Sequence, residues 1–222
     1  MSDPRARTVT RRRSQPARLR GRPPGSSAED TIARLLNAAQ THFGAHGYSG
    51  ARMTEIADAA GVTHSSIYQY FASKQELFRA VFDAAQAELL PQYVEAISAS
   101  DTLQDQLKAI FRASARTHAR NPTITPFLAS IPLEIRRHPD LLPPLAQQGD
   151  DLIAPLTAMF DQARQRGEIP ADTNDLDLII AFIGAVMGVG MLCYGLSDDR
   201  MDSAVEILLA TFDGRFFSTG QT

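Results

Sequence analysis

Thr54-Glu55-Ile56-Ala57-Asp58-Ala59-Ala60-Gly61-Val62-Thr63-His64-Ser65-Ser66-Ile67-Tyr68-Gln69-Tyr70-Phe71 is the stretch on which the fold turns. Just before and within it, Met53, Ile56, Ala57 and Ala60 recur at helical spacing and stop at Gly61, the residue type that accepts the positive φ of a tight turn. Thr63 then stands as an N-cap ahead of Ile67 and Phe71, so a second short helix begins almost where the first ends. Upstream, Ile32, Leu35, Leu36, Ala39 and Phe43 supply a third helical stripe, with Gly47 where that helix should stop. Three short helices joined this way form a compact unit whose small core is Ile56, Val62 and Ile67, with Ala57 allowing close approach. One helix is left facing outward, carrying Thr63, His64, Ser65, Ser66, Tyr68, Gln69 and Tyr70. Hydroxyls, an imidazole and an amide are the groups that reach phosphates and major-groove base edges, and Gln69 suits bidentate pairing with adenine. A bare packing unit without a ligand would need no such polar, cap-initiated helix.

Downstream, Ser73-Lys74-Gln75-Glu76 reads as a capping box in which Ser73 and Glu76 satisfy each other's free amides. A long helix follows to about Ala99, its stripe being Leu77, Phe78, Val81, Phe82, Ala85 and Leu89, with a kink expected at Pro91. Further helices are expected over 102–120, 123–137, 141–166, 173–196 and 202–217, punctuated by Pro122, Pro139, Gly167, Pro170 and Ser197-Asp198. No alternating strand pattern competes with them. The expected architecture is all-α, about nine helices, with an N-terminal helix-turn-helix domain (28–75) and a C-terminal helical domain (76–222) behind an arm (1–27).

Three runs, Thr54-Glu55-Ile56-Ala57-Asp58-Ala59-Ala60-Gly61-Val62, Ile67-Tyr68-Gln69-Tyr70-Phe71 and Ser73-Lys74-Gln75-Glu76-Leu77-Phe78, closely resemble the TetR (tetracycline-repressor-like) family of transcriptional regulators. The resemblance covers residues 30–82; beyond it, only length and helical plan are similar. It implies a homodimeric repressor that binds a palindromic double-stranded operator, takes a small-molecule inducer in its C-terminal domain and needs no cofactor. It also implies that Tyr68 and Lys74 contact phosphate while the Thr63–Tyr70 face lies against the groove. Where the family often caps its second helix with Ser or Thr, this chain has Arg52, which has no side-chain oxygen to cap with and is read instead as a phosphate contact. With Thr54 added, the expected DNA-binding set is Arg52, Thr54, Thr63, His64, Ser65, Ser66, Tyr68, Gln69, Tyr70 and Lys74.

The formal charge of −3 over 222 residues hides an asymmetry. Residues 1–25 carry eight arginines against Asp3, a balance of +7 in a stretch rich in Pro and Ser, whereas residues 26–82 sum to −1. Within that arm, Arg20-Gly21-Arg22-Pro23 looks like the core of an AT-hook, an extended Arg-Gly-Arg that enters a narrow A·T-rich minor groove. The plainer alternative is a tail that only neutralises phosphate. The arm lacks the apolar core of a secretory signal. With Cys193 as the one cysteine, a disulfide framework is excluded and a reducing cytoplasm is expected.

Leu178–Leu196 runs nineteen residues without a charge, long enough to span a bilayer. Asp175, Asp177, Asp198 and Asp199 flank it with no basic bias or aromatic belt, which favours a buried helix over a membrane span. Small residues make it suited to close helix packing, so the expected dimer interface is Ala181, Gly184 and Gly188 with Leu208 and Phe212 of the last helix, the alternative being a single-subunit core. The middle helices offer Tyr93, Phe111, His118, Phe127, Ile131, Glu134, Met159 and Tyr194 as candidate inducer contacts around a cavity of ordinary size, most of which would equally serve as plain core. His42 and His46 stand four apart without a third ligand at a motif position, so no metal site is expected. No nucleophile elbow, phosphate loop or dinucleotide fingerprint supports an enzyme.

Overall fold

The computed structural model describes residues 27–196 and 198–216, leaving out the side chains at 144, 146–152 and 198. The Arg20-Gly21-Arg22 element therefore lies outside the described residues. Among those described, the secondary structure is helical throughout: α1 (Ala28–Gly50), α2 (Met53–Ala59), α3 (His64–Ile67), α4 (Lys74–Ser98), α5 (Leu103–Arg120), α6 (Ile124–Arg137), α7 (Leu142–Gln165), α8 (Asp175–Leu196) and α9 (Met201–Phe212), with 3₁₀ turns at Pro139–Leu141 and Asp198–Arg200.

Local chemistry accounts for most boundaries. Ser27 caps α1 in a reciprocal box, its hydroxyl accepting from the Asp30 amide and the Asp30 carboxylate accepting from its own amide, both at 3.0 Å. The box expected at Ser73 is only half present: Ser73 Oγ accepts from the Glu76 amide at 3.1 Å, but the Glu76 carboxylate takes the Ala72 amide at 2.8 Å. The extended backbone of Ser73 brings Ala72, rather than Ser73 itself, within reach. Thr102 caps α5 through the Asp105 amide at 3.2 Å. Gly47 breaks α1 at a φ of 68°, and Gly61 and Gly167 close turns at +69° and +75°. Pro91 does not end α4, which continues unbroken to Ser98, and α9 stops at Phe212, short of the expected 217.

Two bodies of core meet at one aromatic joint. Ile56, Ala57 and Ile67 are fully buried in the α1–α3 unit, with Val62 half-buried beside them. Phe43 of α1, Phe78 of α4 and Phe127 of α6 pack edge to face or tilted, with centroids 4.9 Å apart for the first pair and 5.2 Å for the second. α1 is thus held between α4 and α6, the two helices that carry the C-terminal body. α8 packs one side on α6, α7 and α9 and leaves the other bare: only 17% of its most apolar eighteen-residue window is buried, and Leu176, Ile180, Leu192 and Leu196 are exposed.

Candidate nucleic-acid interface and effector cavity

Gly61 begins the site. Its amide donates to Asp58 O and the Val62 amide to Ala57 O, at 3.1 and 2.9 Å, turning the chain from α2 into α3. Thr63 then caps α3 through the Ser66 amide at 3.2 Å, and its hydroxyl also bonds Ser66 Oγ at 2.7 Å and Ser65 Oγ at 3.1 Å. Three hydroxyls expected to face DNA are therefore already ordered by one another. Arg34, unanticipated from sequence, reaches over from α1 to donate to Ala60 O at 2.7 Å, covering a carbonyl that α2 leaves unpaired at its C-terminal end. Arg34 lies opposite the apolar stripe of α1, so no local pattern marked it; its partner is a helix end 26 residues away.

Most of the expected contact residues are accessible. Arg52, Thr54, His64, Ser65, Tyr68 and Gln69 are exposed, while Thr63 and Ser66 are half-buried by their capping role. Tyr68 is 46% exposed and its ring meets His64 edge on at 5.2 Å. Tyr70 departs from the expected face: it is half-buried and packs on the core. Arg52 leads α2 without a side-chain cap and pairs with Glu55 at 3.4 Å, an exposed pair that water screens and a phosphate can displace. Lys74 is tied down more firmly. Its Nζ donates to Ala51 O at 3.0 Å and Ser49 O at 3.3 Å and stands 4.7 Å from the Tyr48 ring centre. Burial lowers its pKa and the Glu134 carboxylate partly restores it.

That carboxylate marks a second feature missed from sequence. Glu134, buried on α6, aims its Oε1 at Gly47, where a Cβ would lie 2.6 Å away, and it is flanked by Arg137 at 3.4 Å and His138 at 3.9 Å. His138 Nε2 is bonded to Ser49 Oγ at 2.7 Å. The end of α6 therefore clamps the end of α1 and, through Lys74, the start of α4. Glu134 belongs to this joint and not to an effector cavity, a correction to its expected role.

The cavity itself is small. About 30 Å³, room for roughly two waters, lies between α4, α5, α6 and α8, far below the volume expected of a ligand-filled site. Of the candidate effector contacts, Tyr93, Phe111 and His118 line it. Phe127 is in the aromatic joint instead, Ile131 and Met159 are core, and Tyr194 is 39% exposed on α8. Sequence reasoning missed Thr125, Ser114 and Thr117 on the cavity wall. His118 Nδ1 bonds Thr125 Oγ1 at 3.0 Å, and Tyr93 Oη bonds Ser114 Oγ at 2.8 Å, with burial raising the Tyr93 pKa.

The glycines of α8 divide by direction. A Cβ on Gly190 would lie 2.5 Å from Thr125 Cγ2, so this residue carries the contact with α6. Gly184 and Gly188 have nothing within 4 Å and face out beside exposed Ala181. Leu208 is half-buried and Phe212 is 48% exposed, beside the same open side.

Residues 35–81 match the family model described as bacterial regulatory proteins, tetR family. The chain is 24% identical over 149 residues to the HTH-type transcriptional regulator UidR of Escherichia coli (strain K12), spanning 67% of this chain and 74% of that protein. It is 35% identical over 85 residues to the HTH-type transcriptional activator FasR of Mycolicibacterium smegmatis, 38% and 39% of the two chains. In fold it is similar to the transcriptional regulator FadR from Bacillus subtilis, solved in complex with stearoyl-CoA, with a TM-score of 0.64 at 18% identity over 80% of this chain and 97% of that one.

Proposed function

We propose that this chain, whose residues 35–81 match the tetR family of bacterial regulatory proteins, is a cytoplasmic DNA-binding repressor of that family that binds a palindromic operator as a homodimer and is released by a small molecule. Two copies would place their α3 faces in successive major grooves, about 34–36 Å apart. Arg52, Thr54, Tyr68 and Lys74 would hold phosphate, and His64, Ser65 and Gln69 would meet base edges. The arm would add phosphate or minor-groove contacts through Arg20, Gly21 and Arg22.

One observation carries the ligand-responsive part of this reading: α4 and α6 each have one end at the cavity and the other at the DNA-binding unit. α4 contributes Tyr93 to the cavity and Lys74 to the end of α1. α6 contributes Thr125 to the cavity and Glu134 and His138 to the same end of α1. A ligand that separates His118 from Thr125 must move α6, and α6 cannot move without disturbing Gly47–Ala51. The effector works to the extent that it binds this displaced state better than the DNA-competent one.

The small cavity favours a second reading, an architectural DNA-binding protein that uses the arm and the helix-turn-helix without any ligand. Selecting bound fragments from a random DNA library, then titrating compounds found by thermal shift against the selected operator, separates the two. Release of the operator by a compound that raises Tm supports the inducible repressor. Stabilising compounds that never alter operator occupancy support the architectural protein. A reporter assay fixes the sign of regulation, which matters because the similar stretch of FasR belongs to an activator.

A further inference from the structure

A second void of about 30 Å³ adjoins the cavity described above, and the two share four wall residues, Leu89, Tyr93, Val186 and Met187. Their chemistry differs. Every hydrogen-bonding group other than the Tyr93 hydroxyl is on the first cavity alone, at His118, Thr125, Ser114 and Thr117, whereas the far wall of the second is Leu156, Phe182 and Ile183. Among the described residues, no carboxylate, ammonium or guanidinium lines either one.

From this arrangement we infer that the effector is an elongated molecule with a straight apolar chain ending in an uncharged hydrogen-bond acceptor. The inference rests on the reading of the first cavity as an effector site. The acceptor meets His118 and Thr125, and the chain passes Met187 to lie against Leu156, Phe182 and Ile183. Met187 is the movable part of the partition. Its unbranched thioether turns about three bonds, whereas Tyr93 is pinned by its bond to Ser114. Swinging one side chain joins two pockets, each too small for a compact ligand, into one narrow slot, which an entering chain then widens by easing α6 away from His118. A ring system of any width would have to part α4 from α8. An ionised head would meet hydroxyls and the His118 imidazole but no charged partner, so its lost hydration would be only partly compensated.

The test uses the full chain and two homologous series, straight-chain fatty acids of about six to sixteen carbons and their methyl esters, at a pH where the acids are ionised and at concentrations below micelle formation. Binding is read by thermal shift and calorimetry without DNA. The esters should bind with affinity rising about three- to fourfold per methylene, then levelling once the second void is filled. Each acid should bind at least about tenfold more weakly than its ester, for want of a compensating cation. Ile183→Phe fills the far void and should abolish the gain from longer chains while leaving short esters bound. Thr125→Val keeps the shape against Gly190 and should weaken all esters by a similar factor without changing the chain-length slope. Acids that outbind their esters, affinity indifferent to length, or an unchanged slope in Ile183→Phe would overturn the assignment. If Ile183→Phe does not fold, the wild-type series decides alone. Esters that follow this pattern yet never change operator occupancy would defeat the effector reading and leave the ligand chemistry standing. Operator release by a compact or charged compound, with no ester binding, would do the reverse.

Discussion

At Gly190 a methyl group would intrude on Thr125, and nothing flexible stands in its way to yield cheaply, because Thr125 is itself bonded to His118. Gly190→Ala should therefore destabilise the protein by about 1–3 kcal/mol, the usual cost of overpacking. Thr125→Ser is the control background: it removes the Cγ2 that the new Cβ would meet, so Gly190→Ala made on it should cost clearly less. Thermal melts in both backgrounds at one protein concentration check this, and equal losses would mean that α6 and α8 do not meet as described. At this scale the sequence was partly readable. Gly61 was identified from the turn chemistry of its neighbours, but the different roles of Gly184, Gly188 and Gly190 were not, since which side of α8 meets α6 is decided by Thr125, more than sixty positions away. For the same reason Glu134 was taken for a ligand contact. Its partner Gly47 lies across a fold that no local pattern describes.

α3 is a single helical turn, and it depends on its first residue. Thr63→Ala should cost about 1 kcal/mol and lower operator affinity, because the Ser65 and Ser66 hydroxyls lose their common partner. Thr63→Ser should restore both. Dimer mass in sedimentation should not change, and a loss of dimer would show that the defect is not local to α3. Helix starts such as this one were legible because caps act within three or four residues, as at Thr63 and Ser73. α4 continues through Pro91, where the kink was expected, with Leu89 and Tyr93 buried on either side of the missing amide hydrogen bond.

α9 is fastened to α5 by charge. The Lys108 ammonium, 2.6 Å away, and then the Arg215 guanidinium hold the Asp213 carboxyl below the usual carboxylate range, and Arg112 does the same for Glu206 at 2.8 Å. A carboxylate whose pKa is lowered by folding adds stability above its ordinary value and loses it as the pH falls through the lowered one. Asp213→Asn should thus depress Tm at neutral pH, with the gap to wild type closing in acid. A gap that stayed constant over a pH series would rule out this linkage.

At the scale of the whole molecule, the bare side of α8 is the surface we propose that two subunits share. Gly188→Leu should impair dimerisation in sedimentation equilibrium without preventing the chain from folding, and the wild-type Tm should rise with protein concentration, as it does when folding and association are coupled. A fully dimeric Gly188→Leu protein would move the interface elsewhere. Removing residues 1–25 should weaken operator binding and flatten its salt dependence, each lost phosphate contact reducing the log–log slope by about 0.9. An unchanged slope would make the arm a bystander. The contrast in charge between residues 1–25 and residues 26–82 was plain from counting. The size of the cavity was not, because volume is the residue of how all the surrounding helices close, a quantity that composition does not carry.

The exposed Leu176, Ile180, Leu192 and Leu196 have a further consequence for the life of the chain before it ever meets DNA. On the proposed pairing, a newly made subunit carries an oily strip until a second copy hides it. Until that meeting it is open to chaperones and to clumping. Sister regulators with similarly small, flat strips could also capture it as mixed pairs carrying two different reading heads. Co-expression of this chain with a tagged relative, followed by native mass measurement, would reveal how faithfully it chooses its own kind.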